Sequence, residues 1–390
     1  MTETADVLSQ TRVTLGDLIA YPTESADSNL DLIAYAAERL EACGATIEYS
    51  HDATAQKANL FATLGPDRDG GIVLSGHTDV VPANPTEWTS DPYAMRDDGE
   101  RLFGRGACDM KGFVAAALAM APRYAKLDLK RPVHFAFTYE EETGCLGAQQ
   151  LVGELAKRET RPAVVIIGEP TEMRIIEGHK GCYQYTTHFT GLEGHGSAPQ
   201  RGVNAVHYAV RYISRLLELG AELERSPPPG SRFDPPWTTV GVGRIEGGTA
   251  HNVIAGHCAV DWEMRPVRDA DADHVNSMLH ALCHDELLPE MRAVAPDADI
   301  RTEVLGEVCG LEPMAENAAR DLVAELTGAN GTDVVAFGTE AGLFQQLGIA
   351  AVVCGPGSIE QAHKPDEYVS MAQLQMCLDM LTGLERKLIG

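Results

Sequence analysis

Apolar residues recur along this chain with two different periods. Leu30, Leu32, Ile33, Ala36 and Leu40 fall at helical spacing, and Gly44 closes that stretch as a C-terminal cap. The same spacing predicts helices over 7–20, 29–42, 113–124, 148–157, 204–217, 271–290, 318–326 and 371–388. Alternating or short continuous apolar runs predict strands over 46–49, 59–64, 71–76, 132–138, 163–167, 183–190, 238–245, 255–262, 299–304 and 349–353. The run Ala163-Val164-Val165-Ile166-Ile167 is apolar throughout, as in a strand covered on both faces. Up to about residue 180, helices and strands alternate, which implies an α/β fold with a parallel or mixed sheet. Strands with two helices then dominate, and alternation returns from Glu316. The chain of 390 residues is therefore expected to hold two domains. One is a discontinuous α/β domain of residues 1–181 and 307–390, and the other an inserted α+β domain of residues 182–306.

Several of these strands run straight into polar residues. The first delivers Ser75-Gly76-His77-Thr78-Asp79-Val80-Val81-Pro82. His77 and Asp79 are two residues apart and share a face in extended chain, and Pro82 cannot donate to a ladder and ends the strand. The strand at 132–138 leads into Glu140-Glu141-Glu142-Thr143-Gly144, and that at 163–167 into Gly168-Glu169-Pro170-Thr171. Taken singly, each has an ordinary reading as a solvated strand end or surface acidic run. Taken together they gain weight, because α/β active sites gather at the carboxyl ends of strands. Gly104-Arg105-Gly106-Ala107-Cys108-Asp109-Met110-Lys111-Gly112 opens a helix, but its spacing matches neither a dinucleotide fingerprint nor a Walker loop. Its glycines read as room for tight backbone around Asp109.

Composition narrows the chemistry. A formal charge of −26 argues against nucleic acid and anionic membranes as partners and favours cationic ligands or metal ions, although a merely soluble or salt-adapted surface would have the same charge. Nine cysteines without a C-x-x-C pair fit neither a disulfide framework nor a thiolate zinc knuckle, and point to a reducing, cytoplasmic setting. No apolar run is long enough for a bilayer, and the acidic start does not read as a secretory signal. Any metal must then be held by histidine and carboxylate. His77 and His363 with Asp109, Glu142 and Glu169 suit a pair of divalent cations with an aspartate between them. Such a pair activates a water and polarises a carbonyl. Glu141 is the free carboxylate for a general base, and Asp79 the group that orients His77.

The His77, Asp109, Glu140–Glu142 and Glu169 segments, in this order and across nearly the whole chain, resemble the zinc-dependent deacylase and aminopeptidase family. The resemblance implies a two-zinc catalytic domain with a mixed central sheet flanked by helices, interrupted by a ferredoxin-like lid or dimerisation domain. It implies His77 and Glu169 on one ion, Glu142 and His363 on the other, Asp109 bridging, Glu141 as base and a cis peptide after Asp109. Zinc is the expected metal, with cobalt or manganese as alternatives. Gly194-His195-Gly196-Ser197 resembles the segment whose histidine reaches a partner subunit's site in a homodimer. Asn252 and Arg265 match positions that hold substrate, Arg265 forking onto a carboxylate, although turn and strand-surface roles stay open for them. Gly338-Thr339-Glu340-Ala341 and the segment 355–368 look most like members that deacetylate N2-acetylornithine in arginine biosynthesis. Glu340 would then meet a substrate ammonium, with a structural role equally open. Other N-acyl diamino acids or a dipeptide remain rival substrates. A non-catalytic relative is disfavoured because no motif residue is missing. One departure stands out: Glu140 occupies a place where relatives commonly carry aspartate.

Overall fold

The strand Pro162–Pro170, buried from Val164 onward, lies inside an eight-stranded sheet in the computed structural model, which describes residues 2–390. The strand order is Thr46–His51, Ala58–Leu64, Val133–Thr138, Gly71–His77, Pro162–Pro170, Ala350–Gly355, Ile176–His179, Asp333–Val335. Gly71–His77 is parallel to Val133–Thr138 and to Pro162–Pro170, and Ala350–Gly355 is parallel to Pro162–Pro170. Ala58–Leu64 runs antiparallel to Val133–Thr138. The sheet is mixed, and four parallel strands deliver their carboxyl ends to one edge.

Every residue of Gly71–His77 and Val133–Thr138 is buried, because helices cover both faces. The helix Lys111–Tyr124 is buried along almost its whole length. Its Phe113 lies against Gly168, where a Cβ would meet the ring at 1.9 Å, so only glycine lets helix and strand approach this closely. Burying Phe113 contributes about 2–3 kcal/mol. The last helix, Met371–Leu388, turns Leu374, Leu378, Leu381 and Leu384 inward, and its Leu381 carbonyl accepts the Tyr124 hydroxyl at 2.7 Å.

The chain divides into two units, one of Met1–Gly178, Pro313–Asp333 and Thr339–Gly390, the other of His179–Glu312 and Val334–Gly338. The second holds an antiparallel sheet in the order Thr239–Gly247, His257–Arg265, Cys182–Thr190, Asp299–Val308, with helices Ala205–Arg225 and Asp269–Ala281 packed on it. Along His257–Arg265, Cys258, Val260, Trp262 and Met264 are buried, the alternation of a sheet covered on one face. Tyr185 and Trp262 stack with ring centroids 4.4 Å apart beneath Tyr212 and Leu216.

The helix expected over 271–290 is interrupted. Asp269–Ala281 gives way to a wider, π-helical turn, Leu282–Leu287, and then to Leu288–Arg292. Pro289 has no N–H to offer the carbonyl four residues back, so a regular ladder cannot pass through it.

Candidate metal centre

His77 is the last residue of its strand. Just beyond it, Thr78 donates from both its N–H and its hydroxyl to the Thr138 carbonyl, at 2.9 and 2.7 Å, which locks two neighbouring strand ends together. His77 Nδ1 donates to the Asp79 carbonyl at 2.8 Å. That contact puts the proton of a neutral ring on Nδ1 and turns the Nε2 lone pair outward. Nε2 lies 3.0 Å from Asp109 Oδ1 and 3.8 Å from Glu169 Oε1. His363 Nε2 lies 3.2 Å from Asp109 Oδ2 and 3.1 Å from Glu142 Oε1. Asp109 thus presents one oxygen to each histidine. The peptide bond after it is cis.

The structure brings His77, Asp109, Glu141, Glu142, Glu169 and His363 together. Donor atoms of His77, Asp109 and Glu142 lie within 4.8 Å of one another, and so do those of His77, Glu141 and Glu169. Burial, then the charges of Glu142, Asp109 and Asp79, hold the Glu141 carboxyl well above the usual carboxylate range. Burial and the Asp109 charge likewise raise Glu169 and Glu142. Burial opposes a charge on His77, but the Asp109, Asp79 and Glu169 carboxylates outweigh it and raise its pKa. Hydrogen bonds to the Asp109 and Glu142 carboxylates push His363 up to about 10. These shifts describe a crowd of acceptors short of positive charge. Glu169 Oε1 is buried and has no hydrogen-bond partner. Imidazole nitrogens facing carboxylates, an orphaned buried oxygen and a donor set of nitrogen and oxygen fit divalent cations.

Asp79 does two things. Its carbonyl orients His77, while its carboxylate, 3.6 Å from His77 Nδ1, accepts the N–H groups of Glu141 at 3.0 Å and Glu142 at 3.3 Å. Ser25, which no motif singles out, donates to the same carboxylate at 2.7 Å. Glu140 points away and ion-pairs with Lys57, so the extra methylene relative to aspartate is absorbed outside the cluster. Cys145 sits with Sγ 3.5 Å from Glu141 Oε1. Glu340 is 1 % exposed, accepting the Ser75 hydroxyl at 2.5 Å and the Thr138 hydroxyl at 2.8 Å. Both oxygens are engaged by the protein, and burial raises its pKa. Ser75 and Thr138 are ordinary strand residues by pattern, and only the fold reveals them as its partners.

The remaining candidates belong to the second unit. His195 and Asn252 adjoin: the short strand Gly194–His195 pairs with Val253–Ile254, and Gly196 donates its N–H to the Asn252 carbonyl at 2.7 Å. Both are exposed. The Ser197 N–H donates to His195 Nδ1 at 3.2 Å, so a neutral ring carries its proton on Nε2. Arg265 ends the strand His257–Arg265 and is half-buried, with Nη2 2.9 Å from Glu263 Oε2.

Residues 73–386 match the sequence profile of Peptidase family M20/M25/M40. The chain belongs to this family. The mixed central sheet flanked by helices that the resemblance implies is found, the fold is that of the M20 peptidases, and as an M20 member the protein is a metal-dependent amidohydrolase. It is 37 % identical over 378 residues to an acetylornithine deacetylase of Myxococcus xanthus, covering 96 % of each chain. An acetylornithine deacetylase of Aliivibrio fischeri is 33 % identical over 362 residues, covering 93 % of this chain and 92 % of the relative. Among solved structures, an M20 metallo-carboxypeptidase of Sulfolobus solfataricus superimposes with a TM-score of 0.72 at 18 % identity, over 100 % of this chain and 99 % of that one. A dinuclear metal-binding M20 peptidase of Bacillus subtilis superimposes with a TM-score of 0.63 at 16 % identity, over 99 % of each. No helix among the described residues is long and apolar enough to cross a membrane.

Proposed function

We propose that this M20 enzyme hydrolyses the amide bond of N2-acetyl-L-ornithine, releasing L-ornithine and acetate, with two divalent cations, zinc by preference. The observation that carries the two-cation part is the pair of contacts at Asp109, one carboxylate oxygen to His77 and the other to His363. The substrate part rests on the acetylornithine deacetylases that this chain resembles along almost its whole length.

Cations held by His77, Glu169, Asp109, Glu142 and His363 would acidify a water and polarise the substrate carbonyl. Glu141 takes the proton of that water as its oxygen bonds to the carbonyl carbon, and returns it to the nitrogen as the carbon–nitrogen bond breaks. Asp79 keeps Glu141 in place through its N–H. The exposed Nε2–H of His195, contributed by the partner subunit of a homodimer, stabilises the oxyanion, and the neighbouring Asn252 contributes to substrate binding. Arg265 engages the α-carboxylate as a bidentate fork. For Glu340, the structural alternative is the one its surroundings favour, since its oxygens already bind Ser75 and Thr138.

The same reading carries a role in arginine biosynthesis in the cytoplasm and a homodimer joined through the second unit. Nine free cysteines support the reducing setting. Val304 and Leu305, 56 % and 52 % exposed on the edge strand Asp299–Val308, support the dimer. The test is a panel of N-acetyl, N-succinyl and N-formyl amino acids and dipeptides, assayed with zinc, cobalt or manganese. Highest kcat/KM on N2-acetylornithine is expected. A preference for a succinylated substrate or a dipeptide would overturn the assignment.

A further inference from the structure

Glu367 follows His363 by four residues and has no place among the ligands. Its side chain is fully buried, and its two oxygens accept four hydrogen bonds, all from the loop that carries Asp109. Oε1 receives the N–H groups of Cys108 at 2.8 Å and Asp109 at 3.0 Å. Oε2 receives the N–H of Gly106 at 2.9 Å and Nη1 of Arg105 at 2.7 Å. The Gly104 N–H adds a bond to the Glu367 carbonyl at 2.9 Å.

Three of the four side-chain contacts are to backbone, so this is more than a buried ion pair. Buried amides without acceptors would be costly, and a single carboxylate answers a concave set of them as an anion fills a nest. One of those amides is that of Asp109 itself. The segment from His363 to Glu367 therefore supplies one metal ligand directly and, at its other end, fixes the backbone of the residue that faces both histidines.

We propose that Glu367 is the positioning residue for Asp109, and that the His363–Glu367 segment thereby couples the two metal subsites. This rests on the reading of the site as a two-cation centre and is independent of which amide is cleaved.

The test is zinc binding by the purified full chain, by titration in buffered free zinc and by metal content after dialysis. Glu367→Gln places an amide NH2 against donors on one side of the clamp. Its affinity for zinc is expected to fall about 10–100-fold, with less than the wild-type content retained. Glu367→Asp keeps the charge opposite Arg105 but withdraws it by roughly one bond length, about 1.5 Å. An intermediate, roughly tenfold loss is expected, and this variant decides the matter if Glu367→Gln does not fold. Arg105→Lys keeps a cation and leaves the three amide contacts, so affinity close to wild type is expected. Wild-type zinc affinity in folded Glu367→Gln or Glu367→Asp, with only the melting temperature of the metal-free chain lowered, would reduce Glu367 to a structural residue and overturn the proposal. An equal loss in Arg105→Lys would also overturn it, by assigning the effect to the ion pair. If wild-type protein fails to cleave N2-acetylornithine, the functional reading falls while this measurement still stands.

Discussion

The carboxylate of Asp79 accepts the backbone N–H of Glu141 at 3.0 Å. Its other oxygen takes the Glu142 N–H and the Ser25 hydroxyl, so both oxygens act as acceptors. Asn at this position offers only one. Asp79→Asn is expected to lower kcat about 10–100-fold with a small change in KM, because the base and its neighbour lose their common anchor. Steady-state kinetics alongside metal analysis check this. An unchanged kcat at full metal content would leave Asp79 without the anchoring role.

Removing the base itself separates chemistry from metal binding. Glu141→Ala is expected to cut kcat by about 10²–10⁴-fold, the range for a positioned proton-transfer group. Metal content should stay near wild type, because His77, Asp109, Glu142, Glu169 and His363 remain. Full turnover in this variant would remove Glu141 from the mechanism, and loss of metal would make it a ligand.

The parts of this site that were legible in the sequence are those where an apolar run stops abruptly at a histidine or carboxylate side chain. His77, Glu141, Glu142 and Glu169 all have that signature, and the parallel sheet places their strand ends side by side. What supports them had none. Ser25 and Glu367 read as polar loop residues, since burial of an isolated serine or glutamate is decided by distant segments. The strands Arg96–Asp97, Arg101–Phe103 and Tyr368–Ser370 form a small sheet but are too short to have a period. The apolar spacing that predicts a helix over 271–290 continues on both sides of Pro289 and so hides the break there.

Glu340 separates a recognition role from a structural one. Its two oxygens hold hydroxyls on the neighbouring strands Gly71–His77 and Val133–Thr138. Glu340→Gln leaves one hydroxyl facing a donor and is expected to cost about 1–3 kcal/mol in stability. The preference for substrates with a cationic side chain over neutral ones should not change. A selective loss on acetylornithine relative to acetylated neutral amino acids would restore the contact with the substrate ammonium.

His134 makes an acid-sensitive point far from any ligand. It stacks on Phe61, with centroids 5.0 Å apart, and Nδ1 lies 2.9 Å from the Thr63 hydroxyl. Burial, and then the Arg158 charge, push its pKa down to about 4. Once unfolded the ring titrates near its ordinary value, about 6.5, so between these values the unfolded chain binds the extra proton. The contribution of His134 is complete above about pH 6.5 and is lost as pH falls toward 4, on the order of 3 kcal/mol in all. His134→Leu is expected to lose less stability than wild type between pH 7.5 and pH 5. Urea unfolding of both proteins in chelator checks this, and identical losses would show that His134 does not carry the effect.

His195 provides a test of catalysis across subunits. Its Nδ1 is an acceptor for the Ser197 N–H, which leaves Nε2–H as the donor, on an exposed hairpin. His195→Ala alone is expected to lower kcat by about 10²–10³-fold, as for loss of an oxyanion donor. If that donor serves the partner's site, inactive His195→Ala and inactive Glu141→Ala chains complement each other. In a hybrid dimer one site combines both defects, while the other has an intact Glu141 from one chain and an intact His195 from the other. Random reassortment makes about half the dimers hybrid, so activity near a quarter of wild type is expected from the mixture. Sedimentation of the wild type reports whether a dimer forms. Dimers that exchange subunits but regain no activity would place His195 either in its own subunit's site or outside catalysis, and the activity of His195→Ala alone tells these two outcomes apart.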